Sequence, residues 1–568
     1  PALEDGFSRN DPEPSGVEAI DAPRLEPIWV LPSRDRTVTR PVVLPWPLRV
    51  LLVQARAPVT YWSYEYSLPY AGKAAALPPL GLVTLAALLP ASWELRLLDL
   101  EVEPLREEAL RWADVVMVSG MLVHSESMRQ VLARARALGK RTVAGGAGPT
   151  SDPDLFAEAD HVFRGEAERR LDLLVEALEH PERPAPRDLT PDDGGRPGLE
   201  ASPVPRFDLL DLSRYASLSI QLSRGCPFRC EFCDIIEVFG RIPRLKGAEQ
   251  VLAELEALRR LGWRGPLFFV DDNFIGNRRA VAALLPRIAA WQRQHGMPFD
   301  LYTEASLDLA SHPELVEAMV DAGFTAVFVG LESPSPESLR AAGKTQNLKV
   351  DPAEAVARLT RAGFEVFAGF ILGFDTDHED IFEWQREFIS RLPVPRAMVG
   401  LLGALPNTAL WRRLEKEGRL RGRQWGDQFG RPNFRPALEE RTLIQGYRRV
   451  LAAIYSPEAY YQRCRLHLES VRLVSGPLRP GALPALARAV WGIGLKGPRR
   501  RHFWRLVLGA LRRGPQAFAR AVALAVMGEH MIRYTAEVVL PRLDRALAQI
   551  AVEREASASG RPRVAAAR

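Results

Sequence analysis

The sequence predicts an α/β protein in three parts: a doubly wound (Rossmann-like) parallel sheet, a (β/α) barrel and a helical, basic C-terminal region. Three observations carry this prediction. Short apolar runs alternate with helical periods twice along the chain, over residues 47–180 and again over 215–408. A stretch rich in proline, glycine and charge, 181–214, separates the two series and reads as a linker. From residue 409 the strand pattern stops, and helical spacing with an excess of arginine takes over. A chain of 568 residues exceeds one hydrophobic core, and 47% apolar with 26% charged residues is the balance of a globular protein.

Taken in order, residues 1–46 combine many prolines with little periodicity, which predicts a disordered or loosely docked tail. The first sheet starts at LRVLLVQAR, an apolar run ending in a loop, as buried parallel strands do. PPLGLVTLAALLP reads as a helix, WELRLLDL and ADVVMVSGM as strands, and SMRQVLARARALG as a helix. RTVAGGAG is a strand ending in glycines, and HVFRGEAERRLDLLVEAL closes the series. The second series begins at Leu218 with strands LSIQLS, PLFFVDD, FDLYTEAS, AVFVGLES, VFAGFILGF and AMVGLLGAL. Helices such as AEQVLAELEALRRLG separate them, which is the order of a partial or full barrel. The C-terminal region reads as helical over 409–548 and as a disordered tail over 549–568.

The net charge of +5 says less than its distribution. Between Arg472 and Arg533 twelve Lys or Arg residues face one acid, Glu529, and Trp, Phe and Leu recur among them at helical spacing. Such a stretch suits an interfacial helix on anionic lipid, nucleic-acid binding, or a helical domain whose arginines face solvent or carboxylates elsewhere. Four cysteines cannot form a disulfide framework, so a reducing cytoplasm is expected. PALEDGFSRNDPEPSG has no signal-peptide pattern, and no apolar run reaches membrane-spanning length. The expected location is therefore cytoplasmic, with peripheral membrane contact through 472–533 left open.

Three of the four cysteines, Cys226, Cys230 and Cys233, fall in LSRGCPFRCEFCDI, directly after the first barrel strand. Electron-carrying clusters and structural zinc sites both use four protein ligands. Cys464 lies far along the chain and no histidine sits near the triad, so a small molecule is expected to complete the site. Ligand sites of such barrels gather at the carboxyl ends of the strands.

CPFRCEFC resembles the C-x3-C-x-aromatic-C motif of the radical S-adenosylmethionine (SAM) superfamily. The resemblance implies a [4Fe–4S] cluster on Cys226, Cys230 and Cys233, with SAM on the fourth iron and Phe232 beside its adenine. It further implies a SAM pocket from DDNF (Asp271, Asp272 to Phe274), Glu304, GLES (Gly330, Glu332, Ser333) and GFILG (Gly369, Gly373). Asp271, Glu304 and Glu332 also fit carboxylates in ion pairs within the barrel. A doubly wound sheet ahead of such a barrel suggests cobalamin, and Ser119-Gly120-Met121 followed by Gly145-Gly146 is similar to the motifs that line its nucleotide tail. Glycines let a backbone approach a bulky ligand at strand ends. The D-x-H-x-x-G motif of the lower cobalt ligand is absent; KAAALPPLGL stands in its place, and His124 is a doubtful substitute.

YWSYEYSLPYAGKAAALPPLGLVTLAALLP, FVDDNFIGNRRA and GLLGALPNTALWRRLEKEGRL sharpen the resemblance. They are similar to the branch of cobalamin-dependent radical SAM proteins with an extra helical C-terminal domain, which includes hopanoid C-methyltransferases. This implies methylation of an unactivated carbon of a small molecule or lipid, with an electron donor of flavodoxin or ferredoxin type. The competing readings are an oxidative cyclisation or rearrangement with the same cofactors, a cobalamin and iron–sulfur sensor, and a zinc-bearing nucleic-acid binder. Methylthio transfer would require a second cysteine cluster that four cysteines do not supply. Tyr61, Trp62, Tyr64, Tyr66 and Tyr70 lie after the first strand, and either line a cofactor or substrate cavity or pack a domain interface.

Overall fold

The computed structural model describes residues 47–191, 196–422, 429–473 and 482–558. The expected N-terminal tail, residues 1–46, lies outside them. In the first sheet, strands β1 (Arg49–Gln54), β2 (Glu94–Asp99), β3 (Val115–Ser119), β4 (Arg141–Gly145) and β5 (His161–Val162) run parallel in the order β2-β1-β3-β4-β5. β1 and β3 are apolar on both faces because helices cover both sides, including Leu80–Leu88, Ser125–Ala137 and Asp172–Glu179. The order reverses direction beside β1, so ligands belong at the carboxyl ends, where the register brings Gln54, Asp99, Ser119 and Gly145 level.

The barrel is a six-stranded parallel sheet, β13-β12-β11-β10-β9-β6, built from β6 (Leu218–Ile220), β9 (Gly265–Phe269), β10 (Phe299–Glu304), β11 (Phe324–Glu332), β12 (Glu365–Leu372) and β13 (Ala397–Leu401). A two-stranded antiparallel pair, β7 (Ser223–Arg224) and β8 (Arg244–Leu245), brackets the cysteine loop. Inside the sheet Phe268 stacks on Tyr302 at 4.7 Å, and Phe328 packs on Phe367 at 5.7 Å.

A six-stranded sheet leaves an open edge at β13, and unpaired strand edges are a liability. The helix Glu440–Ile454 covers it. Tyr447 donates its hydroxyl to the Val399 carbonyl at 2.8 Å, and Tyr455, just past the helix, donates to the Ala397 carbonyl at 2.6 Å. The last helix runs Leu540–Ala558, so it passes residue 548, where the sequence reading ended the helical region. Residues 559–568 lie outside the described residues. The described residues of the linker pack against the two domains: Leu189, Leu199 and Phe207 are buried, and the Gln250 amide donates to the Leu199 and Ser202 carbonyls.

Candidate functional site

The cysteine loop is shaped by backbone geometry first. Gly225 has φ of 99°, and a Cβ there would stand 2.9 Å from the Gly240 carbonyl. Only glycine permits the turn that brings the chain to Cys226. Asp271 and Asp272, at the end of β9, hold the approach to the loop. Asp271 accepts from the amide of Leu222 at 3.2 Å and from the amide and hydroxyl of Ser223, while Asp272 accepts from the Gly225 amide at 2.7 Å. Asp271, expected at the SAM pocket, is therefore engaged with the loop backbone, because it is buried beside otherwise unsatisfied amides.

The three thiols are free. Burial pushes the Cys233 thiol up to about 12, with Asp234 and the other two thiols adding to it; burial likewise raises Cys226. Three free thiols on one short loop, of which Cys226 and Cys233 resist ionisation alone, are the donor set for a cationic metal group. Among the described residues no three His, Cys, Asp or Glu converge as a one-ion site requires. Three thiolates on separate irons of a cube need not converge, so the loop fits the cluster.

Around the loop, Phe232 lies 6.2 Å from the ring of Phe374, and the Lys344 ammonium is 6.0 Å from the Phe232 ring. Lys344 pairs with Glu332 at 2.6 Å, and Gly330 leaves the space for this pair, since a Cβ there would lie 2.2 Å from the Glu332 carboxylate. Glu304 ends β10 with no hydrogen bond from its carboxylate to a described residue. Burial, then Asp272 and Asp271, push it up to about 8 against a weaker pull from Lys344. Ser333 is buried and its hydroxyl accepts from the Ser335 amide. Gly373 donates to the Asp377 carboxylate at 2.8 Å.

Two cavities adjoin this region. The first, about 530 Å³, lies between the carboxyl edge of the N-terminal sheet and the barrel. Its walls include Ser119, Gly120, Gly145 and Gly146 on one side and Gln221, Arg224 and Val270 on the other. Gly146 has φ of 94°, and a Cβ there would sit 2.6 Å from the Ser119 hydroxyl, so the backbone forms a cradle that side chains would fill. The segment Leu77–Leu82 lines the cavity without a histidine. His124 turns back on its own turn, its Nδ1 accepting from the Met121 amide at 3.1 Å. The cradle fits a bulky ligand that approaches backbone.

Sequence reasoning missed the polar clamp across this cavity. Arg224 bridges Glu166 at 2.7 Å and Glu168 at 2.8 Å, and Arg244 pairs with Glu166 at 2.6 Å. The clamp ties β7 and β8, on either side of the cysteines, to the N-terminal domain. Its only local signal is charge in RGEAERR, and pairing over such separations leaves no periodicity.

The second cavity, about 410 Å³, opens at the carboxyl end of the barrel. Phe232, Phe328, Gly369 and Met398 meet Leu122 and Val123 of the N-terminal domain there, with Tyr61, Trp62 and the segment Phe429–Asn433 completing the wall. The aromatic group thus divides. Trp62 packs on Phe328 at 5.1 Å, and Tyr61 bonds Thr535 at 2.6 Å; both line the cavity. Tyr64, Tyr66 and Tyr70 pack the interface instead, accepting from Arg396, lying under Arg533 and abutting Gly492. The C-terminal helices fix this loop: His530 Nε2 donates to the Thr60 carbonyl at 2.9 Å, and its Nδ1 accepts from the Tyr66 amide at 3.4 Å. Cys464 is buried away from both cavities, and burial pushes its thiol up to about 12.

Comparison with known proteins agrees with this architecture. Residues 74–175 match the B12 binding domain, 220–387 the radical SAM superfamily, and 408–541 a domain of unknown function (DUF4070). An uncharacterized methyltransferase of Synechocystis sp. is 40% identical over 86% of this chain and 92% of its own length. The hopanoid C-2 methylase of Rhodopseudomonas palustris is 34% identical over 86% of this chain and 94% of its own. The radical SAM methyltransferase TsrM of Kitasatospora setae, solved with cobalamin and a [4Fe–4S] cluster, shares the fold at a TM-score of 0.54 and 17% identity, over 86% of this chain and 99% of that one. With the cysteine loop, the two-domain cavity and these relatives together, the chain belongs to the cobalamin-dependent radical SAM methyltransferases, whose cofactors are a [4Fe–4S] cluster, SAM and cobalamin.

Proposed function

We propose that the protein methylates an unactivated carbon of a neutral, largely apolar small molecule or lipid, of which a hopanoid-like polycycle is the leading example. The observation that carries this reading is the second cavity. Its wall is mostly aromatic and aliphatic, and its polar side chains already have partners: Glu332 with Lys344, Arg431 with Glu440 and Glu553, and Asn433 with both backbone groups of Ala404. A charged substrate would meet no free counter-charge among these groups and would lose hydration, whereas an apolar one loses nothing by entering.

In this reading Cys226, Cys230 and Cys233 would hold the cluster. Phe232, Asp272, Glu304, Gly330, Glu332, Ser333, Gly369 and Gly373 would surround SAM, and Ser119, Gly120, Gly145 and Gly146 would receive cobalamin. When bound, these groups supply one-electron chemistry and a transferable methyl, the part of the reaction that belongs to cofactors. The chain's own contribution is placement and exclusion. Asp271 and Asp272 position the cysteine loop through its amides, and the Arg224 clamp ties that loop's flanking strands to the N-terminal domain across the first cavity. Glu304, once ionised, offers negative charge to a cationic ligand. Tyr61, Trp62 and Phe328 exclude water from the reacting carbon.

The test is anaerobic turnover of reconstituted protein with dithionite, cobalamin and SAM deuterated in its methyl group, using a lipid extract as substrate source. 5′-Deoxyadenosine and S-adenosylhomocysteine appearing with a labelled neutral lipid is the expected result. Deoxyadenosine without homocysteine or label would replace this reading with an oxidative reaction.

A further inference from the structure

We infer that the face formed by residues 483–512 docks on a bilayer surface that carries anionic lipid. Exposed large apolar side chains concentrate there: Leu483, Trp491, Leu495, Leu508 and Leu511 are 72%, 57%, 55%, 54% and 54% accessible. The helix Arg500–Leu511 buries Phe503, Leu506, Val507 and Ala510 against its neighbours. Its outer face therefore presents Arg501, Arg505, Leu508 and Arg512 at helical spacing, with Leu511 alongside. The outer face of a soluble helix ordinarily mixes charges of both signs. This face has no acid anywhere in 482–513.

The cations there divide into two groups. Arg499 pairs with Glu529, Arg488 donates to the Tyr70 carbonyl at 2.7 Å, and Arg513 donates to the Glu469 carbonyl at 3.3 Å. The side chains of Arg500, Arg501, Arg505 and Arg512 make no hydrogen bond or ion pair with described residues, and Lys496 rests 4.4 Å from the Trp491 ring. Unpaired arginines interleaved with exposed Trp and Leu match the boundary between headgroups and acyl chains. Long cationic side chains reach up to phosphate there while the apolar ones sink. Polyanion binding alone would account for the arginines but leaves the apolar members without a role.

The face is joined to the substrate cavity. The Arg488 bond and the contact of Gly492, where a Cβ would lie 2.7 Å from the Tyr70 ring, connect it to the loop that carries Tyr61 and Trp62. Among the described residues no helix is long and apolar enough to cross a membrane, so contact would be peripheral. The docking inference stands on the surface itself; only its purpose, access to a lipid substrate, rests on the proposed function.

The test is co-sedimentation of the full chain with vesicles of phosphatidylcholine alone or mixed with phosphatidylglycerol, without substrate or turnover. Binding to the mixed vesicles that falls with salt is expected. Arg501→Gln/Arg505→Gln/Arg512→Gln should weaken it about a hundredfold, given about 1 kcal/mol for each basic residue near an anionic surface. Trp491→Ser/Leu508→Ser should weaken it strongly and Trp491→Phe little, with melting temperatures unchanged because the positions are exposed. No binding to mixed vesicles would overturn the inference. So would binding that survives the apolar substitutions and is displaced by double-stranded DNA, which would make the face a polyanion site. Since neither readout needs methylation, failure of the proposed function leaves this test intact.

Discussion

Two ends of the same barrel sheet treat buried carboxylates in opposite ways. At the amino end, Glu365 opens β12; burial alone would raise it, but Arg396 and then Arg520 overcome this and hold it down at about 2. Arg396 also covers the Phe367 ring at 3.9 Å and donates to Tyr64, so one guanidinium joins barrel and aromatic loop, while Arg520 brings the C-terminal helices to the same carboxylate. At the carboxyl end, Asp271, Asp272 and Glu304 are pushed up to about 7, 6 and 8, chiefly by burial. None of the three has an ion-pair partner among the described residues, and the pull of Arg224 on Asp272 and of Lys344 on Glu304 is weaker than burial. The first end is electrically complete and serves stability; the second holds three carboxyls that would ionise more readily beside a cation, which in the proposed reading is the sulfonium of SAM.

The largest expected effect lies at the carboxyl end. Cys230→Ser should abolish cluster loading and turnover, read by iron content and deoxyadenosine formation. The melting temperature of the metal-free chain should stay near that of the parent, because the loop's shape comes from Gly225 and the aspartates. A large stability loss without metal would instead make the cysteine structural.

Next, Arg396→Met should cost about 3–5 kcal/mol in denaturant unfolding, the usual penalty for leaving a buried charge without its main partner. Arg520 compensates in part, so a smaller loss would mean that Arg520 carries the pair. Glu304→Gln should leave unfolding nearly unchanged at mildly acidic pH, where the carboxyl is protonated, and at pH above about 8 should weaken SAM binding about tenfold, the equivalent of one pKa unit of charge interaction. Equal affinity in the variant would remove Glu304 from the SAM pocket.

Much of this arrangement could be read in the sequence, and the limits were physical. The strands of both sheets fall on short apolar runs, as strands of a parallel sheet covered on both faces do. The cysteine loop was legible because its spacing is local. The amides that Asp271 faces were not, because acids at a strand end look alike until the backbone shows which amides they face. The Arg224 clamp and the His530 contacts join positions far apart in the chain, and such pairing imposes no period. Residues 549–558 read as a tail because alanine-rich, charged sequence suits both helix and disorder; ion pairing of Arg554 with Glu439 and Arg431 with Glu553 helps dock that end.

The smallest expected effect is a pH slope of opposite sign at the two ends. Glu304, raised in the folded chain above its ordinary 4.5, contributes stability that is complete below that value and is lost as pH rises through about 8. Glu365, depressed, contributes stability present above its ordinary value and lost as pH falls through about 2. The metal-free chain should therefore melt several degrees lower at the alkaline end of the range between these values, and Glu304→Gln should flatten that part of the curve.

The most direct measurement is the SAM-induced rise in melting temperature of the cluster-loaded protein across neutral to mildly alkaline pH, in the parent and in Glu304→Gln. A cationic ligand beside Glu304 binds better once that carboxyl is ionised, so the rise should grow with pH in the parent and lose most of that slope in the variant. The same slope in both proteins would contradict the claim that the carboxyl end of the barrel is built to receive the positive charge of SAM.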